Sequence, residues 1–516
     1  MRLSGLSLMR VGARLQVWRI GVAFLGVALA WSGWGATALL AQQWRARVSG
    51  RFQFIEARAL VRDSVLEALT TGSGTQRMVG DTAVTCTTGA EHCYFYRAGE
   101  VANSSPAVVD VDLSVFGFGI QGLRAYVSTR FRNDFSDGTY GNDEFWPRGD
   151  EHFDLLTGYV ELNRSSFRVR AGRDYQASGL GYYGYDGGSF IYRFAPWRIE
   201  VEAYGGWGLA RGVPRSITSD EFGSLGEFQP PERDYLFGFR GSARPTSNSA
   251  IAGIYQREIP TNRDGISSER LGFEASWYPK RELSLQAHTD FDLATGLWGK
   301  AGLNVGWQAH EKVFVQGRVF RYRPVFSLQT IWVAFSPVPY TGWNLSLGVQ
   351  PRSDLSVRLW GERRSYADTE AEVGFFATTD RDWRVGGTVG WRPQAMGVPW
   401  DIDAGYWLNW GFGAATSSGD VRVGLRPRDE LSVGVRFTAF QQLDEFRVGE
   451  GRVWGLGGDA RWRIPAGTVW LSVDRYDHNR RINADISEDP TQPDWSQWRV
   501  ALGLSYYLGS EPGRSQ

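Results

Sequence analysis

The 516-residue chain predicts an all-β fold: a single transmembrane antiparallel β-barrel of about 22 strands (20–24), with no plug domain. Three observations carry that prediction. From Trp44 onward the chain repeats stretches of about ten residues in which apolar and polar residues alternate, each ended by turn residues. Aromatic residues gather near the ends of these stretches. After one N-terminal apolar run, no second run is long enough to cross a bilayer as a helix, for which about 20 residues are needed.

The elements follow in chain order. Arg2, Arg10, Arg14 and Arg19 precede an apolar run over 20–41, with Ala36-Thr37-Ala38 as a small-x-small site. That order of parts is a signal peptide over 1–41, cleaved after Ala38 or Ala41. An uncleaved anchor helix is the alternative. Polar Gln42-Gln43 and a strand pattern follow at once, which favours cleavage. The barrel is expected over 42–509, and 510–516 is a short periplasmic tail.

Period two is explicit in three stretches. Leu123, Ala125, Val127, Thr129 and Phe131 alternate with Arg124, Tyr126, Ser128, Arg130 and Arg132. Leu283, Leu285, Ala287, Thr289 and Phe291 alternate with Glu282, Ser284, Gln286, His288 and Asp290. Leu431, Val433, Val435, Phe437 and Ala439 alternate with Ser432, Gly434, Arg436 and Thr438. Successive side chains of a strand point to opposite faces, so each strand has one face in an apolar medium and one in a polar medium. A soluble sandwich would satisfy that as well. A membrane barrel is favoured because strand follows strand with no second layer, and because the polar face is rich in Gly and Arg, which suits a wet lumen. Trp277, Tyr278, Trp391, Trp410, Trp462, Trp498, Tyr506 and Tyr507 also sit where interfacial girdles belong.

Three turns are near-copies: Tyr278-Pro279-Lys280-Arg281-Glu282-Leu283, Gln350-Pro351-Arg352-Ser353-Asp354-Leu355 and Arg426-Pro427-Arg428-Asp429-Glu430-Leu431. Their Pro residues are 72 and 76 positions apart. Copies on one side of a membrane are separated by an even number of strands, and four strands fit where two would be far too long for spans of about 9–11 residues. The rhythm gives about 22 strands, with short turns and both termini on the periplasmic side. Longer loops fall on the other side, at 62–106, 133–151, 209–233, 324–340, 366–381 and 478–495. Thr330–Phe335 reads as part of an inward-folding loop or as an extra strand.

The last strand, Trp498-Arg499-Val500-Ala501-Leu502-Gly503-Leu504-Ser505-Tyr506-Tyr507-Leu508, carries Gly503, Tyr506 and Leu508 at the spacing of an assembly signal. With it, the mature chain resembles Gram-negative outer-membrane β-barrels of the porin-like superfamily. Leu508 stands where such proteins usually end in Phe, and eight residues trail after it. The resemblance implies residence in the bacterial outer membrane, contact with its lipid, and insertion by the barrel-assembly machinery. The strand number is also that of TonB-dependent transporters, but those carry a plug domain ahead of the first strand, and here strand one begins at the cleavage site.

Charge bounds the function. Lys and Arg total 56, as do Asp and Glu, and only Lys280, Lys300 and Lys312 are lysines. Zero net charge removes the case for nucleic acid, which needs an excess of cations to displace phosphate counterions. By phase, the lumen face should carry Arg124, Arg130, Arg132, Arg168, Arg170, Arg358, Arg364, Arg384, Arg422, Arg436 and Arg461. It should also carry Glu161, Glu200, Glu202, Glu282, Asp290, Asp292, Asp401, Asp403 and Asp459. Opposed basic and acidic arcs would put a transverse field across a pore; the alternative is that these charges pair into rungs that stiffen the wall.

Other candidates are weaker. Cys86 and Cys93 in an exported chain read as a disulfide closing a surface loop, because a metal would need more ligands than this pair and His92. Ser284, His288, Asp290 and Asp292 share a face, yet neighbours two apart lie about 7 Å from each other, too far for a hydrolase triad on one strand. The acidic loop from Asn133 to Asp150 matches no Ca²⁺-loop order. The Gly- and Tyr-rich stretch 179–188 reads as an interfacial turn, with sugar stacking as the alternative. No cofactor is implied. The expected function is an outer-membrane channel for passive or substrate-biased passage of small polar solutes, leaning toward anions. The alternatives are a scaffold barrel filled by its loops at 62–106, 209–233 and 324–340 or by a periplasmic partner protein, a surface protein acting through its loops, and a membrane hydrolase.

Overall fold

The computed structural model describes residues 43–72, 76–79, 82–86, 91–135, 153–209, 233–261, 264–323, 339–367, 381–411, 414–445, 450–481 and 494–509. The signal segment, the tail, the acidic loop over 136–152, Thr330–Phe335 and most of the expected long loops lie outside them. The described chain forms one closed antiparallel barrel of 22 strands. The wall begins with the lower half of Gln43–Leu66 and continues through Pro106–Phe116, Leu123–Asp134, Phe153–Asn163, Phe167–Ser178, Gly181–Phe194 and Ile199–Gly208. Every next strand pairs with the one before it, as far as Trp495–Gly509. Closure is made by the first strand on the last, in register from Arg45↔Gly509 to Ile55↔Arg499. No edge of the wall is left to template aggregation.

The near-copied turns become tight hairpins. Lys280 pairs with Leu283, Arg352 with Leu355 and Arg428 with Leu431, each after a register shift at the strand end. The connection at 392–397 adds a two-residue strand, Gln394–Ala395, paired with Val398.

Two features depart from the sequence reading. The stretch expected as a loop over 62–106 is mostly strand. Gln43–Leu66 runs on above the wall and pairs with His92–Ser104 as far as Leu66↔His92, with Thr82–Cys86 and Gln76–Val79 added beside it. At about 3.3 Å per residue, the arm from Glu56 to Leu66 projects roughly 35 Å. Cys86 and Cys93 are disulfide-bonded partners in its small core with Val84, packed by Val65, Val79 and Phe95. Residues 179–188 are likewise not an interfacial turn. They belong to a hairpin whose tip is buried inside the barrel.

Candidate functional site

The wall has two faces of opposite character. One phase of each strand is apolar and exposed, as with Val127 and Phe131, Val160, Phe239, Phe273, Leu303, Leu359 and Val435. The other phase carries the charges, and they are paired locally. Glu161 is held between Arg124 at 3.0 Å and Arg170 at 2.6 Å, and Arg170 also reaches Asp174 at 3.0 Å. Arg130 meets Asp110 at 2.7 Å and Arg132 meets Asp154 at 3.0 Å. Arg364 pairs with Glu362, Arg384 with Asp382 and Arg436 with Asp474. Arg392 contacts both Asp401 at 2.8 Å and Asp403 at 3.0 Å, while Arg422 contacts Asp459 at 2.9 Å. Each of these arginines has its acid on its own strand or a near neighbour, so among the described residues these charges pair into rungs.

The hairpin is the feature that shapes the interior. Strand Phe167–Ser178 carries Gly172 at φ 132°, a conformation L side chains rarely adopt, and a Cβ there would strike the carbonyl of Gly158. At that glycine the strand parts from Phe153–Asn163, while Gly181–Phe194 stays paired with Ile199–Gly208 from Phe194 to Tyr185, so that only the residues around the turn at Gly179 and Leu180 leave the wall. Gly187 lies so close to Gly205 and Gly206 of the next strand that a Cβ would meet backbone. The tip then packs on the charged phase of strands further along. Leu180, Tyr183 and Tyr185 form a buried cluster with Tyr204, Leu236 and Ile254.

Polar groups fasten the tip. Arg270 donates to the Leu180 carbonyl at 2.6 Å and to the Tyr183 hydroxyl at 2.9 Å, and its other Nη engages Asp290. The backbone N–H of Lys300 also donates to Asp290. The Gly179 N–H donates to Glu274 at 3.0 Å, and the Tyr204 hydroxyl to Gln256 at 2.9 Å. Arg270 and Asp290 are both almost wholly buried, so removing either would leave a buried charge uncompensated.

Among the described residues, a cavity lies on the side of the wall opposite the hairpin. It measures about 710 Å³ and is bordered by Arg392, Asp401, Arg422, Arg436, Asp459 and Arg461, with Trp400 and Trp470 among its walls. The strands that form it are the seventeenth to twenty-first of the wall, and those under the hairpin tip are the seventh to eleventh. Trp470 lies over Gly503, where any Cβ would collide with the indole.

Aromatic rings mark two levels on the apolar face. Beside the long connections lie Phe131 with Phe153, Trp207 with Tyr235, Phe291 with Trp298, and the run Trp343, Trp383 and Trp410. Beside the short turns lie Trp44, Phe194, Trp197, Trp277, Trp307, Trp391 and Trp462, all exposed. Two aromatic girdles around an apolar band, on a closed wall, match a bilayer and its two interfaces. The chain is a transmembrane β-barrel of the outer-membrane type.

No protein-family model matches the sequence, and no curated protein matches it. Among solved structures, the barrel is similar to the P pilus usher PapC translocation pore, at a TM-score of 0.43 and 9% identity over 90% of this chain and 99% of that one. It is also similar to OccK2 (OpdF) of Pseudomonas aeruginosa, at 0.40 and 12% over 91% and 98%. A BenF-like porin from Pseudomonas fluorescens gives 0.39 and 12% over 90% and 99%.

The remaining sequence-predicted residues are placed as follows. Arg168, Arg358 and Arg461 lie on the charged phase and make no ion pair among the described residues. Glu200 pairs with Arg193 at 3.2 Å, and Glu202 is buried beside it on the same phase. Asp292 accepts the N–H groups of Ala294 and Thr295 and so caps a turn. Glu282 is not on a strand face: it occupies the exposed turn before Leu283, because the strand begins one residue later than its alternation implies. Ser284 donates to the Gly306 carbonyl, and Asp290 is committed to Arg270, so no triad assembles there. Gly503, Tyr506 and Leu508 lie in the closing strand, opposite Arg51, Val48 and Ala46.

The sequence reading missed the hairpin core. Its signal was present as a loss of alternation. Tyr235-Leu236-Phe237 and Ile254-Tyr255 are apolar in both phases, which a strand with water on one side does not require.

Proposed function

We propose that this barrel is a channel for passive or substrate-biased passage of small polar solutes. The observation that carries the reading is the cavity of about 710 Å³ lined by arginines and carboxylates, opposite a hairpin that fills the other side of the lumen. A barrel of 22 strands is wide enough to conduct unless it is plugged. The hairpin narrows it without an added domain. Charges facing water tune which ions pass. Arg358 and Arg461, without carboxylate partners among the described residues, tilt the balance toward anions.

Liposome swelling tests the reading. Vesicles holding the folded protein should swell in a small neutral sugar and faster in an anionic solute of equal size. Swelling no faster than in protein-free vesicles, from a barrel shown to be folded, would contradict it.

A further inference from the structure

Four neighbouring strands, Val313–Tyr322, Tyr340–Arg352, Leu355–Tyr366 and Arg381–Trp391, share an apolar phase marked by exposed Val319, Leu345, Leu359 and Val385. One row of that phase runs Val319↔Trp343, Trp343↔Arg363 and Arg363↔Trp383 in register. The row above it runs Arg321↔Thr341 and Thr341↔Ser365. Arg321 and Arg363 therefore stand on the bilayer face, at the girdle on the long-loop side. Among the described residues, no Asp or Glu shares this phase of the four strands.

Two other arginines of the apolar phase are neutralised where they stand, Arg475 by Asp477 at 3.2 Å and Arg257 by Glu269 at 3.9 Å. Arg321 and Arg363 make no ion pair among the described residues, and the Arg363 Nε is buried with no acceptor. Arg381, opposite Ser365, has a partner of its own and is not counted with them.

The wall beneath this pair is slotted. Gly361 lies two residues below Arg363 on its strand, and Gly317 lies four below Arg321. In register Gly317 faces Leu345 and Leu345 faces Gly361, so the two glycines flank one leucine. A Cβ at Gly317 would meet nothing within 4 Å, and one at Gly361 only the Val385 side chain at 3.9 Å. Two open apolar slots thus run down the bilayer face, divided by Leu345, each below an unpaired cation.

A girdle role accounts for the tryptophans. Trp383, whose ring centroid is 5.1 Å from the Arg363 guanidinium, steadies that cation but offers no oxygen to its N–H groups. We propose that this face binds an amphiphile of the long-loop leaflet, with an anionic phosphate headgroup held by Arg363 and Arg321 and its chains in the slots beside Leu345. Arginine forks suit phosphate oxygens in bidentate geometry, and hydrocarbon filling the slots gains contacts that a bare groove forgoes. The proposal requires only that the barrel spans a membrane, and it stands whether or not the lumen conducts.

Native mass spectrometry of the folded mature protein in detergent tests it, with phosphatidylglycerol and phosphatidylcholine of identical chains as probes. The expected result is retention of phosphatidylglycerol about tenfold above phosphatidylcholine. The double variant Arg321→Gln/Arg363→Gln should abolish that preference, whereas Arg475→Gln should leave it unchanged. Gly361→Leu, which fills a slot without touching either cation, should lower retention of both lipids several-fold. Equal retention of the two lipids by the parent would overturn the proposal, as would an unchanged preference in the double variant. A loss in Arg475→Gln as large as in the double variant would overturn it too, because any cation of the girdle would then serve. Unchanged retention in Gly361→Leu would refute the slots as the seat of the chains. Heat-modifiable migration of each variant confirms that the barrel is folded.

Discussion

Leu180→Ala should loosen the hairpin and change how the channel gates. Leu180 is 2% exposed and seals the tip against Ile254 and the Gly272 backbone, both side chains lying 3.0 Å from where a Cβ on Gly272 would be. Truncating a buried Leu to Ala costs about 2–5 kcal/mol. Barrel strands elsewhere do not depend on this contact, so the cost falls on the docked state of the hairpin. Since every 1.4 kcal/mol is tenfold, the docked-to-undocked ratio should drop by roughly 30-fold to 4,000-fold. In planar bilayers this should appear as added transitions to a larger conductance level, at unchanged thermal stability of the wall. Arg270→Ala should act in the same direction, because it removes the bonds to Leu180 and Tyr183 and strands the buried Asp290 carboxylate. If both variants fold and conduct like the parent, with the same levels and dwell times, the hairpin is not a removable obstruction and the reasoning fails.

Three other perturbations separate the parts of the structure. Leu303→Arg, on the apolar phase in the middle of Leu297–His310, should cost roughly 2–4 kcal/mol of folding stability in lipid, measured by urea titration, while Asn304→Arg on the opposite phase should cost little. Gly172→Val should impair folding, because its φ of 132° and the facing Gly158 carbonyl leave no room for a branched side chain; the yield of heat-modifiable barrel is the measure. Arg461→Glu should move the reversal potential in a salt gradient toward cations without altering stability, since Arg461 borders the cavity and makes no ion pair among the described residues.

What was legible in the sequence was what repeats. Alternation, turn spacing and girdle aromatics each recur many times along the chain, so strand type, strand number and closure survive local noise. Phase also grouped Arg124, Glu161 and Arg170, which the ion pairs bring together. What phase cannot give is partner choice. Arg392 reaches Asp401 and Asp403 across a short turn, and Arg422 reaches Asp459 two strands on, and such distances depend on stagger between strands. The hairpin was hidden for a related reason. Its signals are Gly172, where the strand parts from its neighbour, and the doubly apolar Tyr235-Leu236-Phe237 and Ile254-Tyr255 of the wall strands that receive the tip. The arm above the wall was hidden because polar residues such as Arg58, Arg62 and Asp63 within Gln43–Leu66 break the membrane pattern, although the strand itself continues.

On the proposed function, the lumen conducts past the hairpin. Single-channel recording of the refolded mature protein in a planar bilayer tests it most directly. Steady conductance steps, with a reversal potential on the anion side in a salt gradient, are the predicted result. A folded, heat-modifiable barrel that gives no steps under any applied voltage would contradict it.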